Sequence, residues 1–348
     1  MNIRQATDAD KDRWDNFVNN HPDATPYHLS AWTTAVQNAY AFESFNLIAE
    51  ENNQILEIFP ISLLKIPFKN AELVALPYCD VGAPLATDSG VKKKLIDGAL
   101  VVGKSNNVSF VDIRGEIATN ILQSYGDTSQ TNNNKVRMLL DLPGSAEELW
   151  TGFKSKLRSQ VRKSEKNGLT FQFSNDKIDD FYSVFSLNMR DLGSPVHSKN
   201  WFKEIIKQFA DNAKLGLVYH KDKAIGAGII LQAGNKISIP WASTLREYNR
   251  LGPNMLLYWK FLEYAADNNC NTFDFGSSTP NEGTYRFKSQ WGAKPSPLPW
   301  RKIFLKGTPA NVTTKPSKKR EQLAAIWQKL PLPIANVTGP YLRKYISL

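Results

Sequence analysis

Cysteine is nearly missing from this 348-residue chain, which has only Cys79 and Cys270. They lie far apart and in no metal-type spacing. That argues against disulfide or zinc frameworks and suits a reducing cytoplasm. No run approaches the ~20 apolar residues of a bilayer span. The opening MNIRQATDADKDRW lacks a basic-then-apolar pattern, so no secretory leader is expected. No Walker loop, HExxH, CxxC or G-x-S-x-G occurs, which disfavours ATPase, zinc-hydrolase and serine-hydrolase chemistry. No ligand cluster is visible, and no metal is expected.

Acid is scarce in one place. From Arg301 to Leu348 ten Lys/Arg stand against Glu321 alone, which leaves the rest of the chain close to neutral within a net charge of +10. Such a tail suits anionic lipid, RNA or an anionic precursor, and a solvated charge run accounts for it equally well. An apolar share of 42% is ample for a core. The length predicts two domains. We place them at residues 1–143 and 144–306, followed by a basic tail, 307–348, with a short amphipathic helix.

Read by periodicity, the first half begins with a strand Asn2–Ala6, a helix Asp8–Asn19 and a second helix capped by Ser30. Extended runs follow at Phe45–Ala49, Ile55–Ile66 and Glu72–Leu76, the first two joined by a polar hairpin turn at Glu51-Asn52-Asn53. A helix around Val91–Val102 and strands Val108–Ile113 and Val136–Leu142 complete it. Ser145 and Glu148 form a capping box that opens a helix running to Asn167 and stopped at Gly168. Strand Leu169–Phe173, helices Ile178–Leu192 and Trp201–Asn212, and strands Leu215–His220, Ala224–Gln232 and Lys236–Ala242 come next. Pro253 suits the first turn of a helix Asn254–Asn268. Strand Thr272–Phe275, a helix around Tyr285–Trp291 and strand Trp300–Leu305 end the body. This order is not the βα alternation of a doubly wound sheet. It describes a mixed α/β (α+β) fold built as a tandem repeat.

Two stretches carry candidate chemistry. In the first, Gly276 ends a strand, Gly292 ends a helix, and Tyr285, Phe287, Lys288 and Trp291 lie between them. This reads as an aromatic-walled pocket holding one charge; a core helix with a solvated lysine is the plain alternative. Asp274 and Glu282 flank the loop. In the second, Lys154, Arg158, Arg162 and Lys166 recur every four residues beside an apolar face of Trp150, Phe153, Leu157 and Val161. Like charges in a row repel, so the stripe points to an anionic partner, with Arg158 and Arg162 as phosphate ligands; a solvated face is the alternative. Leu323, Ile326, Trp327 and Leu330 make a further apolar stripe, which Pro331 and Pro333 interrupt; beside the lysines it reads as an interfacial segment, and packing back on the body is the plain alternative.

The stretches HPDATPYHLSAW (His21–Trp32), PYCDVGAPL (Pro77–Leu85), FKSKLRSQVRKSEKNGL (Phe153–Leu169), RDLGSPV (Arg190–Val196) and FDFGSSTPNEGTYRFKSQWGA (Phe273–Ala293) resemble the Fem-type peptidyl/aminoacyl transferases and their FemAB-related relatives, some of them associated with exopolysaccharide clusters. The resemblance covers roughly residues 1–305. It implies a tandem pair of GNAT-like acyltransferase domains that form an amide on an amine of a peptidoglycan-type or polysaccharide-type precursor. The donor would be an aminoacyl-tRNA or an acyl-CoA, and no cofactor would be bound permanently. It places the family's Phe-Lys pair on Phe287-Lys288, with the lysine stabilising the oxyanion of a tetrahedral intermediate. From the residues themselves Asp274 is the candidate base, with a strand residue bonding neighbouring amides as the plain alternative. Arg190 and its loop, together with Tyr27, His28, Trp32, Tyr285 and Trp291, become candidate substrate contacts. At the pyrophosphate position of CoA-binding members stands Asn249-Arg250-Leu251-Gly252-Pro253-Asn254. Arg250 and Gly252 are the cofactor candidates there, but only Gly252 fits the pattern and Pro253 removes an amide, which leans the donor away from CoA. Expected partners are an anionic envelope precursor, tRNA and, through the tail, the inner face of an anionic membrane. The other function class left open is a non-catalytic binder of RNA or an anionic glycolipid on the same fold.

Overall fold

A computed structural model of the protein describes residues 1–126, 128–131, 134–306 and 318–347. The chain divides into two compact units, each discontinuous: Met1–Lys135 with Pro297–Lys315 and Tyr345–Leu348, and Val136–Ser296 with Pro316–Lys344.

The first unit holds two sheets. Asn2–Gln5, Leu47–Glu51 and Gln54–Phe59 form a three-stranded antiparallel sheet. The turn at Asn52-Asn53 has both residues at positive φ, as a tight hairpin requires. The run expected from Ile55 to Ile66 is two strands, because the chain breaks at Pro60 and Ser62–Leu64 joins the other sheet. That six-stranded sheet runs Glu43–Ser44, Ser62–Leu64, Glu72–Val74, Phe110–Arg114, Trp300–Phe304, Thr128–Thr131. A helix, Ser89–Ser105, is capped by Asp88 through the Val91 amide and buries Leu95, Ile96 and Ala99. These join Phe59, Leu63, Leu73, Val111 and Ile303 in one core.

The second unit is a seven-stranded sheet with strands β1 (Val136–Asp141), β2 (Leu169–Phe173), β3 (Ala213–His220), β4 (Lys223–Ala233), β5 (Lys236–Thr244), β6 (Thr272–Ser278) and β7 (Lys294–Pro297). Their order is β2-β3-β4-β5-β6-β1-β7. All contacts are antiparallel from β2 to β5, β5–β6 is parallel, and β6–β1 is antiparallel again. The helices are α1 (Ala146–Gly152), α2 (Ser155–Lys166), α3 (Ile178–Asp191), α4 (Lys199–Phe209), α5 (Pro253–Asp267), α6 (Gly283–Gln290), α7 (Lys318–Gln328) and α8 (Leu332–Arg343). Helix α5 crosses the sheet over β3 and β4, whose Gly216 and Gly228 make room for the Phe261 ring. A Cβ on Gly216 would sit 2.6 Å from that ring. Gly216→Ala is therefore expected to cost about 2 kcal/mol through overpacking, read as a lower urea midpoint at unchanged m-value.

Two expectations are corrected. The bounds 143 and 306 do not follow the compact units: Val136–Asp141 pairs with β6, Trp300–Phe304 pairs with Phe110–Arg114, and Pro316–Lys344 belongs to the second unit. The second unit's sheet has β7 at its edge, where Pro295 and Pro297 suit the position. The helix expected from Ser145 to Asn167 is two helices, because Phe153 takes extended backbone (φ −72°, ψ 144°) directly after Gly152. Pro331 and Pro333 fall where the tail's helical stripe is interrupted, between α7 and α8. They begin α8, in the first turn where proline's missing N–H costs nothing. Both tail helices pack on α3, so the tail is not a free appendage. The linker expected around Lys315 lies partly outside the described residues. Among the described residues no helix is long and apolar enough to cross a membrane.

Candidate functional site

The site of the second unit begins with two strands that part. Parallel β5 and β6 pair only at Lys236↔Thr272, Ile237↔Phe273 and Ser238↔Asp274, although each continues for several residues more. On β5 the next positions include Pro240, which has no N–H to give a ladder. On β6 the register against β1 shifts between Asp274 and Ser277, a bulge that accommodates Gly276 at φ +74°. Asp274 shapes this bulge: Oδ1 accepts the Gly276 amide at 2.8 Å, and Oδ2 accepts Arg137 Nε at 2.7 Å and Ser238 Oγ at 3.4 Å. Both carboxylate oxygens are thus occupied within the sheet, and the side chain is 3% exposed. The structure gives Asp274 the work of fixing the strand's exit.

Lys288 arrives from α6. It is the buried residue of that helix, and its Nζ donates to the Ser277 carbonyl at 2.7 Å, just beyond the bulge. Burying an ammonium is costly unless donors are met, and the bulged carbonyl meets one of its three. Around it lies an aromatic wall. Phe287 packs edge-on to Tyr258 at 4.9 Å, Tyr258 stacks on Phe275 at 5.7 Å, and Trp291 continues the wall from Phe287 to Phe153. Burial raises the Tyr258 phenol above its ordinary range, so it stays protonated. Ser278, next on β6, is buried, and its Oγ has no partner among the described residues. Reading the sequence missed both Tyr258 and Ser278. Tyr258 sits in the apolar helix MLLYWKFLEYAA, where its hydroxyl was the only signal, and Ser278 looked like loop. Tyr285 is half-buried and makes none of these ring contacts.

The break at Phe153 gives α2 an N-terminus of its own, with Lys154 at the N-cap and no side chain capping it. A cavity of about 880 Å³ opens beside it, lined by Glu148, Lys154, Lys156, Gln160, Trp291 and Gly292 among others. Lys288 is not in its lining, so cavity and lysine meet only through Trp291 and α6. Arg158 is half-buried, and Arg162 is exposed with its guanidinium over the Trp150 ring at 5.4 Å. Among the described residues no carboxylate pairs with Lys154, Arg158, Arg162 or Lys166. The stripe is therefore a real concentration of uncompensated charge.

The remaining candidates fall elsewhere. Arg190 bonds Asp191 Oδ1 through two nitrogens and reaches the Leu330 carbonyl at 3.5 Å. Its loop carries the tail: a Cβ on Gly193 would meet Ala324, and one on Gly339 would meet Val196. Arg190 is thus spoken for by fold contacts. Gly252, the αL N-cap of α5, lies against Ser164 of α2, and Asn167 Nδ2 donates to the Leu251 carbonyl. The start of α5 is covered by α2, while Arg250 is exposed. Tyr27, His28 and Trp32 are core residues of the first unit. Trp32 donates to the Pro77 carbonyl, His28 sits between Thr25 and the Ala83 carbonyl, and Tyr27 packs edge-on to Trp32. They pin the loop 77–85.

That loop closes a second parting of strands. In the first unit, parallel Glu72–Val74 and Phe110–Arg114 pair at Leu73↔Val111 and Val74↔Asp112, and then separate. Gly82 bridges to Arg114 there, and fully buried Arg114 donates to the Cys79 carbonyl and to Ser347 Oγ under the Trp300 ring. The chain fills this cleft itself, so the second unit carries the accessible one.

The comparisons with known proteins bear on this site. Residues 151–289 match the family described as acetyltransferase (GNAT) domain. Over these residues the second unit is similar to a GNAT domain. Among solved structures, the crystal structure of FemX is similar over 88% of this chain and 98% of its own, with a TM-score of 0.70 at 14% identity. L-PGS from Bacillus licheniformis is similar over 99% and 98%, with a TM-score of 0.55 at 10% identity. A tandem GNAT protein from the clavulanic acid biosynthesis pathway is similar over 88% and 99%, with a TM-score of 0.52 at 11% identity. No curated protein sequence matches. At these identities the shared feature is the fold.

Proposed function

We propose that this GNAT-domain protein transfers an acyl group, of the aminoacyl or peptidyl kind, to an amine of an anionic cell-envelope precursor of the peptidoglycan or exopolysaccharide type. The observation that carries the reading is Lys288 Nζ, buried at the parting of β5 and β6 and fixed on the Ser277 carbonyl. A neutral amine attacks the donor's carbonyl carbon, a C–N bond forms, and the carbonyl oxygen becomes an anion beside this ammonium. On collapse the bond to the donor's oxygen or sulfur breaks, and that leaving atom takes up the proton the amine gives up. A preorganised cation at the oxyanion is worth about 3 kcal/mol of barrier. The aromatic wall of Tyr258, Phe275 and Phe287 keeps water away and strengthens the attraction.

For the donor, the covered start of α5 and Pro253 at its first turn favour an aminoacyl-tRNA over a coenzyme A pyrophosphate. For the acceptor, the unpaired stripe of α2 suits phosphate, with Arg158 and Arg162 as forks. Arg158→Ala/Arg162→Ala is expected to raise the acceptor KM about tenfold or more with kcat little changed, and to flatten its salt dependence. The test is product mass spectrometry after incubation with envelope precursors and either charged tRNA or acyl-CoA. An amide-linked aminoacyl product from the tRNA arm bears the reading out. Product only from acyl-CoA and a small amine sinks it.

A further inference from the structure

Helix α8 is built inside out. Towards the body it presents small residues: Ala335 and Gly339 are buried, and a Cβ on Gly339 would come 3.0 Å from the Val196 amide nitrogen. Its large apolar side chains point the other way. Ile334, Val337, Tyr341 and Leu342 are 49–67% exposed, and their spacing of i, i+3, i+7 and i+8 puts them on one face. Leu323 and Ile326 of α7 are exposed to a similar degree, while Ala324 of the same helix packs by Gly193. A helix on a protein surface ordinarily turns its apolar stripe inward and its charge outward. Here the fold spends its small residues on packing and leaves the apolar stripe in water.

We propose that this face is a docking surface for a bilayer rich in anionic phospholipid, on which α8 lies in the interface plane. Charge complementarity chooses the occupant. From Lys315 to the C-terminus the chain has seven Lys/Arg and a single acid, Glu321. Lys329 precedes α8, and Arg343 and Lys344 close it, so cations flank the apolar stripe at both ends. An apolar strip with a tyrosine and basic flanks matches acyl chains beneath negative head groups. A protein partner of the same shape would need an acidic rim around its own apolar groove, and a second copy meeting this face with its own α8 would bring none, since α8 contains no Asp or Glu. At twelve residues α8 lies on the membrane and does not cross it. The inference is independent of the transfer chemistry proposed above.

The experiment is co-sedimentation of the full chain with phosphatidylcholine vesicles made with and without phosphatidylglycerol, beside sedimentation velocity without lipid. We expect binding to the phosphatidylglycerol vesicles, little to phosphatidylcholine alone, and release as salt is raised. Val337→Ser/Leu342→Ser should weaken binding at least about tenfold. Val101→Ser, an equally exposed change on the first unit's helix, should leave it as it was. Both substitutions are at exposed positions, and an unchanged thermal midpoint checks the fold. Vesicle binding that survives Val337→Ser/Leu342→Ser overturns the proposal, as does no binding by the native chain. A native dimer that the same pair of substitutions makes monomeric, without lipid binding, also overturns it and assigns the face to self-association.

Discussion

Lys288→Ala is expected to lower kcat about 10²- to 10³-fold while acceptor affinity stays within about twofold. The asymmetry follows from what the ammonium meets at each stage. In the ground state it donates to Ser277 O inside a water-poor pocket, and the substrate carbonyl is only a weak acceptor. In the tetrahedral state a full negative charge sits beside it, and charge-assisted bonds are roughly twice as strong as neutral ones. Methionine at this position would keep much of the stem and remove the charge, so Lys288→Met should match alanine in kcat and exceed it in thermal stability. Steady-state kinetics with acceptor titrations, together with a melt of each variant, decides the matter. Retention of kcat within about threefold in both variants would remove the lysine from the chemistry.

The second large effect is on stability. Asp274→Ala should destabilise the second unit by about 3 kcal/mol, because it strips Arg137 of its carboxylate and frees the Gly276 amide that shapes the bulge. A Tm lower by roughly 5–10 °C is the corresponding reading. Asp274→Asn separates structure from catalysis. The amide oxygen still accepts from Gly276, so the bulge persists, and the loss should be about half that of alanine with activity per folded molecule largely kept. A general base would behave otherwise: asparagine would then be as dead as alanine although better folded.

Much of the architecture could be read from local signals. The Asn52-Asn53 turn, the Ser145 cap, the αL stop at Gly168 and Pro253 at the head of a helix are all where the residues put them. These features depend on a few neighbouring side chains and their φ preferences. The run from strand β2 to helix α6 follows for the same reason. Helix α2 shows the limit. Its basic and apolar stripes are continuous through Lys154, so periodicity alone hides the break that one glycine and one extended phenylalanine introduce. Strand partners were less legible still. Val136–Asp141 and Trp300–Phe304 have strand-like patterns, but alternation states that a strand has two faces and not which sheet receives it.

At the site, Phe287, Lys288 and Trp291 stand out in sequence because a lone cation among aromatics is unusual. Tyr258 and Ser278 do not, since one is a hydroxyl on an apolar helix and the other a serine in a polar run, and only the fold brings them to the bulge. Asp274 lies between two phenylalanines in sequence, and the fold surrounds it with donors, Arg137, Ser238 and the Gly276 amide, so that a polar group can be buried there. Tyr27, His28 and Trp32 show how little company alone decides: a histidine amid aromatics has the composition of a pocket and also that of a well-bonded core, and in the fold all three are buried.

The exchange of strands between the two sheets has a consequence for how the protein is made. The first unit draws an inner strand of its six-stranded sheet from Trp300–Phe304, and Arg114 waits for Ser347, 233 positions later. A ribosome therefore releases the second sheet's residues before the first sheet has its full complement. The N-terminal half must wait, with the edge of Phe110–Arg114 unpaired, until Trp300–Phe304 has emerged. High sequence separation between partners slows folding, and open edges invite wrong partners meanwhile. Residues made long after the first sheet thus serve as its latch, and no single cut of the chain would yield either unit whole.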